Sequence, residues 1–164
     1  MAKNYILDQA TANKKLERMA YEILENNVDE KQLILAGIHE PGSVIALHIQ
    51  QLLQQISDIN TRLIHIHLDK RNPGAITLSE DINFDDKVII IIDDVANSGK
   101  TLLYAMKPFL QFHPRKIQTL ALVDRTHKAY PVKTDYVGLS LATTLQEHIY
   151  VETDGKVVTG AYME

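Results

Sequence analysis

Asp93 and Asp94 stand side by side after five β-favouring apolar residues, Val88 to Ile92, and just ahead of a loop of small and polar residues, Asn97-Ser98-Gly99-Lys100-Thr101. Adjacent carboxylates can accept hydrogen bonds from sugar hydroxyls or hold a divalent cation, directly or through water. A small-residue loop that feeds a helix offers unpaired backbone N–H groups and the positive end of a dipole to an anion. Acids beside a phosphate site would only repel phosphate alone, so the pattern predicts a ligand carrying phosphate and ribose together. A P-loop is excluded, because Gly99-Lys100-Thr101 supplies only the last three residues of G-x-x-x-x-G-K-[ST] and the first glycine of that frame falls on Asp94. The dinucleotide fingerprint G-x-G-x-x-G is absent from this stretch.

Such residues need rigid elements behind them. The uninterrupted apolar run Val88 to Ile92 reads as a strand buried on both faces of a parallel sheet, which places the acids at a strand end. A helix is expected over Lys100 to Phe112, kinked at Pro108 and ended by Pro114. Gln32 to Ile38 reads as another buried strand, followed by the turn His39-Glu40-Pro41-Gly42 and a further helix. Thr61 to Leu68 alternates as a two-faced strand that puts His65 and His67 on one side. Lys116 to Val123 is a strand whose end brings Asp124-Arg125 to the same rim as the acid pair. Ahead of all these, Asp8 is the expected N-cap of an amphipathic helix running to about Asn26. Thr153-Asp154-Gly155-Lys156 marks a hairpin over Tyr150 to Tyr162. The alternation predicts one α/β domain over residues 1–164, a mainly parallel twisted sheet flanked by helices.

The succession of apolar strand, Asp93-Asp94, short loop and Ser98-Gly99-Lys100-Thr101 resembles the 5-phosphoribosyl-1-diphosphate (PRPP) motif of type I phosphoribosyltransferases. Leu7-Asp8, the stretch from Leu122 to Lys128, Pro131 and Asp135-Tyr136-Val137-Gly138 are similar to the branch that contains the pyrimidine operon attenuators with uracil phosphoribosyltransferase activity. The resemblance implies the type I phosphoribosyltransferase fold with a small hood, expected at about 61–86 together with the C-terminal hairpin 150–162. It implies transfer of ribose 5-phosphate from PRPP to a nucleobase, uracil foremost, with Mg²⁺ held by Asp93 and Asp94, directly or through water. Asp93, Asp94 and Arg125 are the implied catalytic residues. Val95, Ala96, Asn97, Ser98, Gly99, Lys100 and Thr101 are the implied PRPP-binding loop. Gly37, Ile38, His39, Glu40, Pro41 and Gly42 are the implied pyrophosphate turn, and Tyr136 and Val137 the base contacts. Pro41 stands where that branch has an arginine, which removes a guanidinium and one backbone donor. Asn97 stands where the purine branch has an aspartate, and an amide cannot take up a proton as a carboxylate does. Lys70 and Arg71 are candidates for phosphate contact.

Composition agrees with this class. The chain has 164 residues, 45% of them apolar and 23% charged, enough to bury a core as one domain. With no cysteine, a disulfide framework, thiolate metal ligation and a thiol nucleophile are excluded. No apolar run approaches the roughly 18 residues of a membrane span, and the first residues lack the apolar core of a signal peptide, which points to the cytoplasm. The net charge of −4 argues against broad nucleic-acid binding. Three readings stay open: a transferase of the kind described, a PRPP- or nucleotide-sensing regulator that binds RNA, and a PRPP-binding domain without turnover. The resemblance also implies a homo-oligomer, a dimer or tetramer.

Overall fold

The computed structural model describes residues 2–142 and 147–164. Its centre is a six-stranded sheet in the order β4-β3-β2-β5-β6-β7. These strands are β2 (Gln32–Ile38), β3 (Asn60–Leu68), β4 (Ile76–Leu78), β5 (Val88–Ala96), β6 (Lys116–Arg125) and β7 (Tyr136–Leu141). All neighbours pair in parallel except the short edge strand β4, which is antiparallel to β3. Helix α1 (Gln9–Glu25) precedes β2, α2 (His39–Ile56) links β2 to β3, and α3 (Lys100–Ala105) with a following 3-10 helix (Lys107–Gln111) links β5 to β6.

Side-chain alternation along the central strands feeds two cores. Leu33 and Leu35 of β2 and Val88, Ile90 and Ile92 of β5 pack with Leu16, Ile23, Ile45 and Ile49 of α1 and α2. Ile34, Ala36, Ile89 and Ile91 point to the other face, against Leu102 and Ala105 of α3, Phe109 and Phe84. A strand apolar at every position is what burial on both faces requires. Phe84 anchors the second core through edge-to-face contacts with Phe109 and Phe112 at centroid distances of 4.9 and 5.3 Å.

Because α2 packs on one face and α3 on the other, the chain leaves adjacent strands β2 and β5 in opposite directions. Their carboxyl ends therefore flank a crevice, the place where open α/β sheets bind ligands.

A second sheet, in the order β1-β9-β8, joins β1 (Asn4–Asp8) to the hairpin of β8 (Ile149–Asp154) and β9 (Val157–Met163). Its inner face, Leu7, Ile149, Val158 and Ala161, joins the first core beside Val95 and Val123, late residues of β5 and β6. The small sheet thus covers the end of the main sheet where the acids lie.

Asp8 caps α1 as expected, its carboxylate accepting the Thr11 N–H at 2.7 Å. The segment expected as a hood at 61–86 is differently built. Residues 61–68 belong to β3, inside the main sheet beside β2, and 76–78 form its antiparallel edge; the hairpin expected with it at 150–162 is present as β8 and β9 and pairs with β1. The helix expected over 100–112 breaks at Met106, and Pro108 sits in the first turn of the 3-10 helix, where a missing N–H costs nothing.

Candidate active site at the ends of β2 and β5

The strand that delivers the acids buries one of them. Asp93 is 1% exposed, and its Oδ1 accepts the Asp94 N–H at 2.9 Å while Oδ2 is buried without a hydrogen-bond partner. Asp94 is more open, with 16% of its side chain exposed, and its Oδ1 accepts the Val95 N–H at 2.8 Å. Lys70 reaches over from the segment between β3 and β4, placing Nζ 3.3 Å from Asp93 Oδ1 and 3.7 Å from Asp94 Oδ1.

Burial, reinforced by the neighbouring Asp94 charge, pushes the Asp93 carboxyl well above the usual carboxylate range, and Lys70 only partly opposes this. Burial pulls the Lys70 ammonium down, but the attraction of Asp93 and Asp94 outweighs it and the net shift is upward. For an acid whose folded pKa lies above its unfolded one, the native state binds the extra proton. Its stability contribution therefore falls as pH rises from the unfolded value near 3.8 through the raised folded value. Asp93→Asn is accordingly expected to remove this decline and to unfold at a higher temperature than the natural chain above neutral pH. Thermal melts across pH check it, and parallel curves for the two proteins would refute it.

Two backbone cradles flank the acids. After β5, Val95, Ala96, Asn97, Ser98, Gly99, Lys100 and Thr101 line one open pocket with Asp93 and Lys70, with a cavity of about 60 Å³. Gly99 carries φ +87°, and a Cβ there would lie 2.5 Å from Val132 Cγ1, so both backbone hand and space demand glycine. The Ser98 carbonyl accepts N–H groups from Ala129 and Tyr130 at 3.0 and 3.1 Å, which clamps the loop to the segment after β6. The Lys100 N–H is offered Ser98 Oγ at 3.3 Å.

After β2, α2 begins with His39 in the left-handed region at φ +52° and has no side-chain cap. The N–H groups of its first turn therefore have no partner from a capping side chain, apart from the one Pro41 lacks. Glu40 is exposed, His39 and Pro41 are half-buried, while Gly37, Ile38 and Gly42 are buried. Ile38 fills the second core, so this turn presents backbone and the His39, Glu40 and Pro41 side chains outward. His65 Nδ1 lies 2.7 Å from Ser43 Oγ, so this ring braces the base of the turn while His67 is exposed.

Arg125 is at the same rim but is already engaged. It is 4% exposed, its Nε donates to Asn97 Oδ1 at 2.8 Å, and Nη2 donates to the Glu147 carbonyl. The neighbouring Asp124 is satisfied by Lys128 Nζ at 2.6 Å and Thr134 Oγ1 at 2.8 Å. The guanidinium thus orients Asn97: Nε can only donate, so the amide oxygen faces it and the amide N–H₂ is left for the pocket side.

The expected base contacts are not brought to this rim. Tyr136 opens β7 opposite Leu120, whereas the rim end of β7 is Leu141, opposite Arg125. Its ring is 1% exposed in the first core, and its hydroxyl donates to Gln118 Oε1 at 2.8 Å, so Tyr136 is a packing residue and cannot stack on a ligand. The Val137 carbonyl accepts Arg18 Nη2 at 3.1 Å, and the Gly138 carbonyl accepts the same nitrogen at 3.0 Å. The backbone there is bound to α1.

The model for the phosphoribosyl transferase domain matches residues 3–154. The chain is 37% identical to "Bifunctional protein PyrR" of Staphylococcus carnosus, over 95% of this chain and 97% of that protein. It is 33% identical to the protein of the same name in Streptococcus gordonii, over 95% of each chain. Among solved structures, the hypoxanthine phosphoribosyltransferase of Trypanosoma cruzi superposes with a TM-score of 0.75 at 15% identity, covering 85% of this chain and 82% of that one. A hypoxanthine-guanine phosphoribosyltransferase of Bacillus anthracis gives 0.73 at 18% identity, over 91% and 88%.

Proposed function

Since this chain belongs to the type I phosphoribosyltransferase family and lies close to the PyrR proteins, we propose that it transfers the ribose 5-phosphate of PRPP to uracil and releases pyrophosphate. One observation carries the reading: an acid pair with a buried, unpartnered oxygen sits between two backbone cradles at the crevice of the sheet. The phosphate of a sugar phosphate suits the Ala96 to Thr101 loop, its hydroxyls suit Asp93 and Asp94, and the diphosphate suits the turn at His39 to Gly42.

The donor set fits a hard divalent cation, which takes one or two carboxylates and keeps its other ligands as water or phosphate oxygens. Asp93 and Asp94 would hold Mg²⁺, and its contribution there is to offset the charge that builds on the leaving diphosphate. The chain's own residues do the rest. Asp94 orients the ribose and favours positive charge developing at C1, and the loop after β5 anchors the 5-phosphate so that C1 is held against the incoming nitrogen. No protein nucleophile is required. Asn97, oriented by Arg125, presents an amide donor that a base carbonyl of an oxo-pyrimidine can accept; being no proton acceptor itself, it leaves the N1 proton of uracil to pass to water or to the departing diphosphate. In this reading Arg125 serves the base side through Asn97.

Incubation with Mg²⁺, PRPP and each of uracil, hypoxanthine, guanine, xanthine, adenine and orotate tests the proposal by the nucleotide and pyrophosphate formed. Uracil is expected to react fastest; turnover of hypoxanthine or guanine with none of uracil would refute the assignment of the base.

A second function is suggested by the name of the relatives, bifunctional proteins, and an RNA-binding regulator is the second reading. Among the basic residues of α1, Arg18 is already bound to Glu22 and to the β7 backbone. RNA affinity that falls steeply with salt would support this reading, and a flat response would remove it.

A further inference from the structure

Lys70, a candidate for phosphate contact from the sequence, lies instead on the acid pair. It belongs to the exposed connection between β3 and β4, and its own side chain is 44% exposed. Its ammonium nonetheless lies within ion-pair distance of both acids and lines the pocket of the loop after β5. The acid it approaches most closely, Asp93, is 1% exposed and keeps a second oxygen without any partner. A buried carboxylate with an unmet acceptor is a site made for more positive charge than one half-solvated lysine supplies.

An ammonium is a compact point charge on a flexible four-carbon stem. Within ion-pair reach of Asp93 Oδ1 and Asp94 Oδ1, it would compete with a divalent cation for these two carboxylates. The ammonium is half-exposed and can return to water, whereas Asp93 is 1% exposed and needs another positive partner in its place, so the pair opens when one arrives. An arriving anion can take over the ammonium as the acids receive other partners.

We propose that Lys70 is a tethered counter-cation, occupying the cation position of the Asp93–Asp94 pair in the ligand-free protein, excluding free divalent metal, and yielding that position when a phosphorylated ligand binds. While it is docked, the connection between β3 and β4 is held against the rim. The inference rests on the transfer reading only in taking the acid pair as the cation-binding position.

The test uses the full chain and Mn²⁺ alone, with free Mn²⁺ followed by electron paramagnetic resonance at low salt and mildly alkaline pH. Lys70→Met is expected to bind Mn²⁺ about fivefold more tightly than the natural chain, the ratio that removing one half-exposed competing ion pair supplies. Lys70→Arg is expected to keep the exclusion, and Asp93→Asn added to Lys70→Met to abolish the gain. Equal or weaker Mn²⁺ binding by a folded Lys70→Met protein overturns the proposal. Should that variant fail to fold, the natural chain decides: limited acetylation read by mass spectrometry should label Lys70 more heavily in saturating Mg²⁺ than without it, and unchanged labelling overturns the proposal. Failure to form any nucleotide would count against the transfer reading and leave these metal results standing.

Discussion

Asp94→Asn is expected to lower kcat/KM for PRPP by about a thousandfold, the roughly 4 kcal/mol that a preorganised electrostatic partner of a transition state supplies. Asp94 is the more open member of the pair, so it is the acid a ribose hydroxyl and a cationic C1 can approach. The substitution keeps a carbonyl oxygen at Oδ1 to accept the Val95 N–H, so the strand end should hold its shape. Steady-state pyrophosphate release gives the rate, and a thermal melt run alongside separates lost chemistry from lost fold. A variant that melts with the natural chain and turns over at a similar rate would remove Asp94 from the reaction. The Asp93→Asn protein described above is the complementary case: a higher melting temperature for that variant at alkaline pH would mark Asp93 as an acid whose charge is held at the expense of native stability.

Gly42→Ala is the second large effect. A methyl group there would lie 2.6 Å from the Ile92 carbonyl oxygen and 3.5 Å from Asp93 Cα, atoms of the central strand that have nowhere to go. Either α2 lifts from β5 or β5 shifts with its acids; both open the crevice from the middle. Overpacking of this kind costs about 3 kcal/mol, which for a chain of this size lowers the melting temperature by roughly 10 °C. PRPP binding measured by calorimetry should weaken in the folded fraction as well. A melt within about 2 °C of the natural chain would show that the turn absorbs the methyl group without moving the strand.

What the sequence discloses follows from how local each signal is. Val88 to Ile92, apolar at every position, identified the central strand and with it the place of Asp93-Asp94, because burial on both faces leaves no room for alternation. Asp8 and the periodic apolar residues behind it marked α1 for the same reason: cap and stripe are written within a few turns of chain. Tyr136 misled because an aromatic residue ahead of Val137-Gly138 looks the same at either end of a strand. Which end it occupies depends on register with β6, a relation between distant segments. Arg125 is likewise legible as a rim cation, whereas its bond to Asn97 depends on the approach of two loops. Lys70 reaches the acids from 23 positions away in the chain, by a stem whose direction no periodicity encodes. β3 is legible as a strand but its place in the main sheet is not, since nothing in an alternating eight-residue run says which neighbour it will pair with.

The second sheet sets the order in which the molecule can be completed. β1 pairs with β9 so that Asn4 lies opposite Met163, almost the full length of the chain apart, whereas β2, α2 and β3, or β5, α3 and β6, meet across short connections. Closing the longer loop costs more entropy and contributes contacts only after the main sheet exists to support it. During synthesis residues 4–8 must wait, unpaired, until the last hairpin has emerged. In the finished protein the same three strands should form the unit that opens first in native-state hydrogen exchange, with the acid pair still held by a sheet that remains closed.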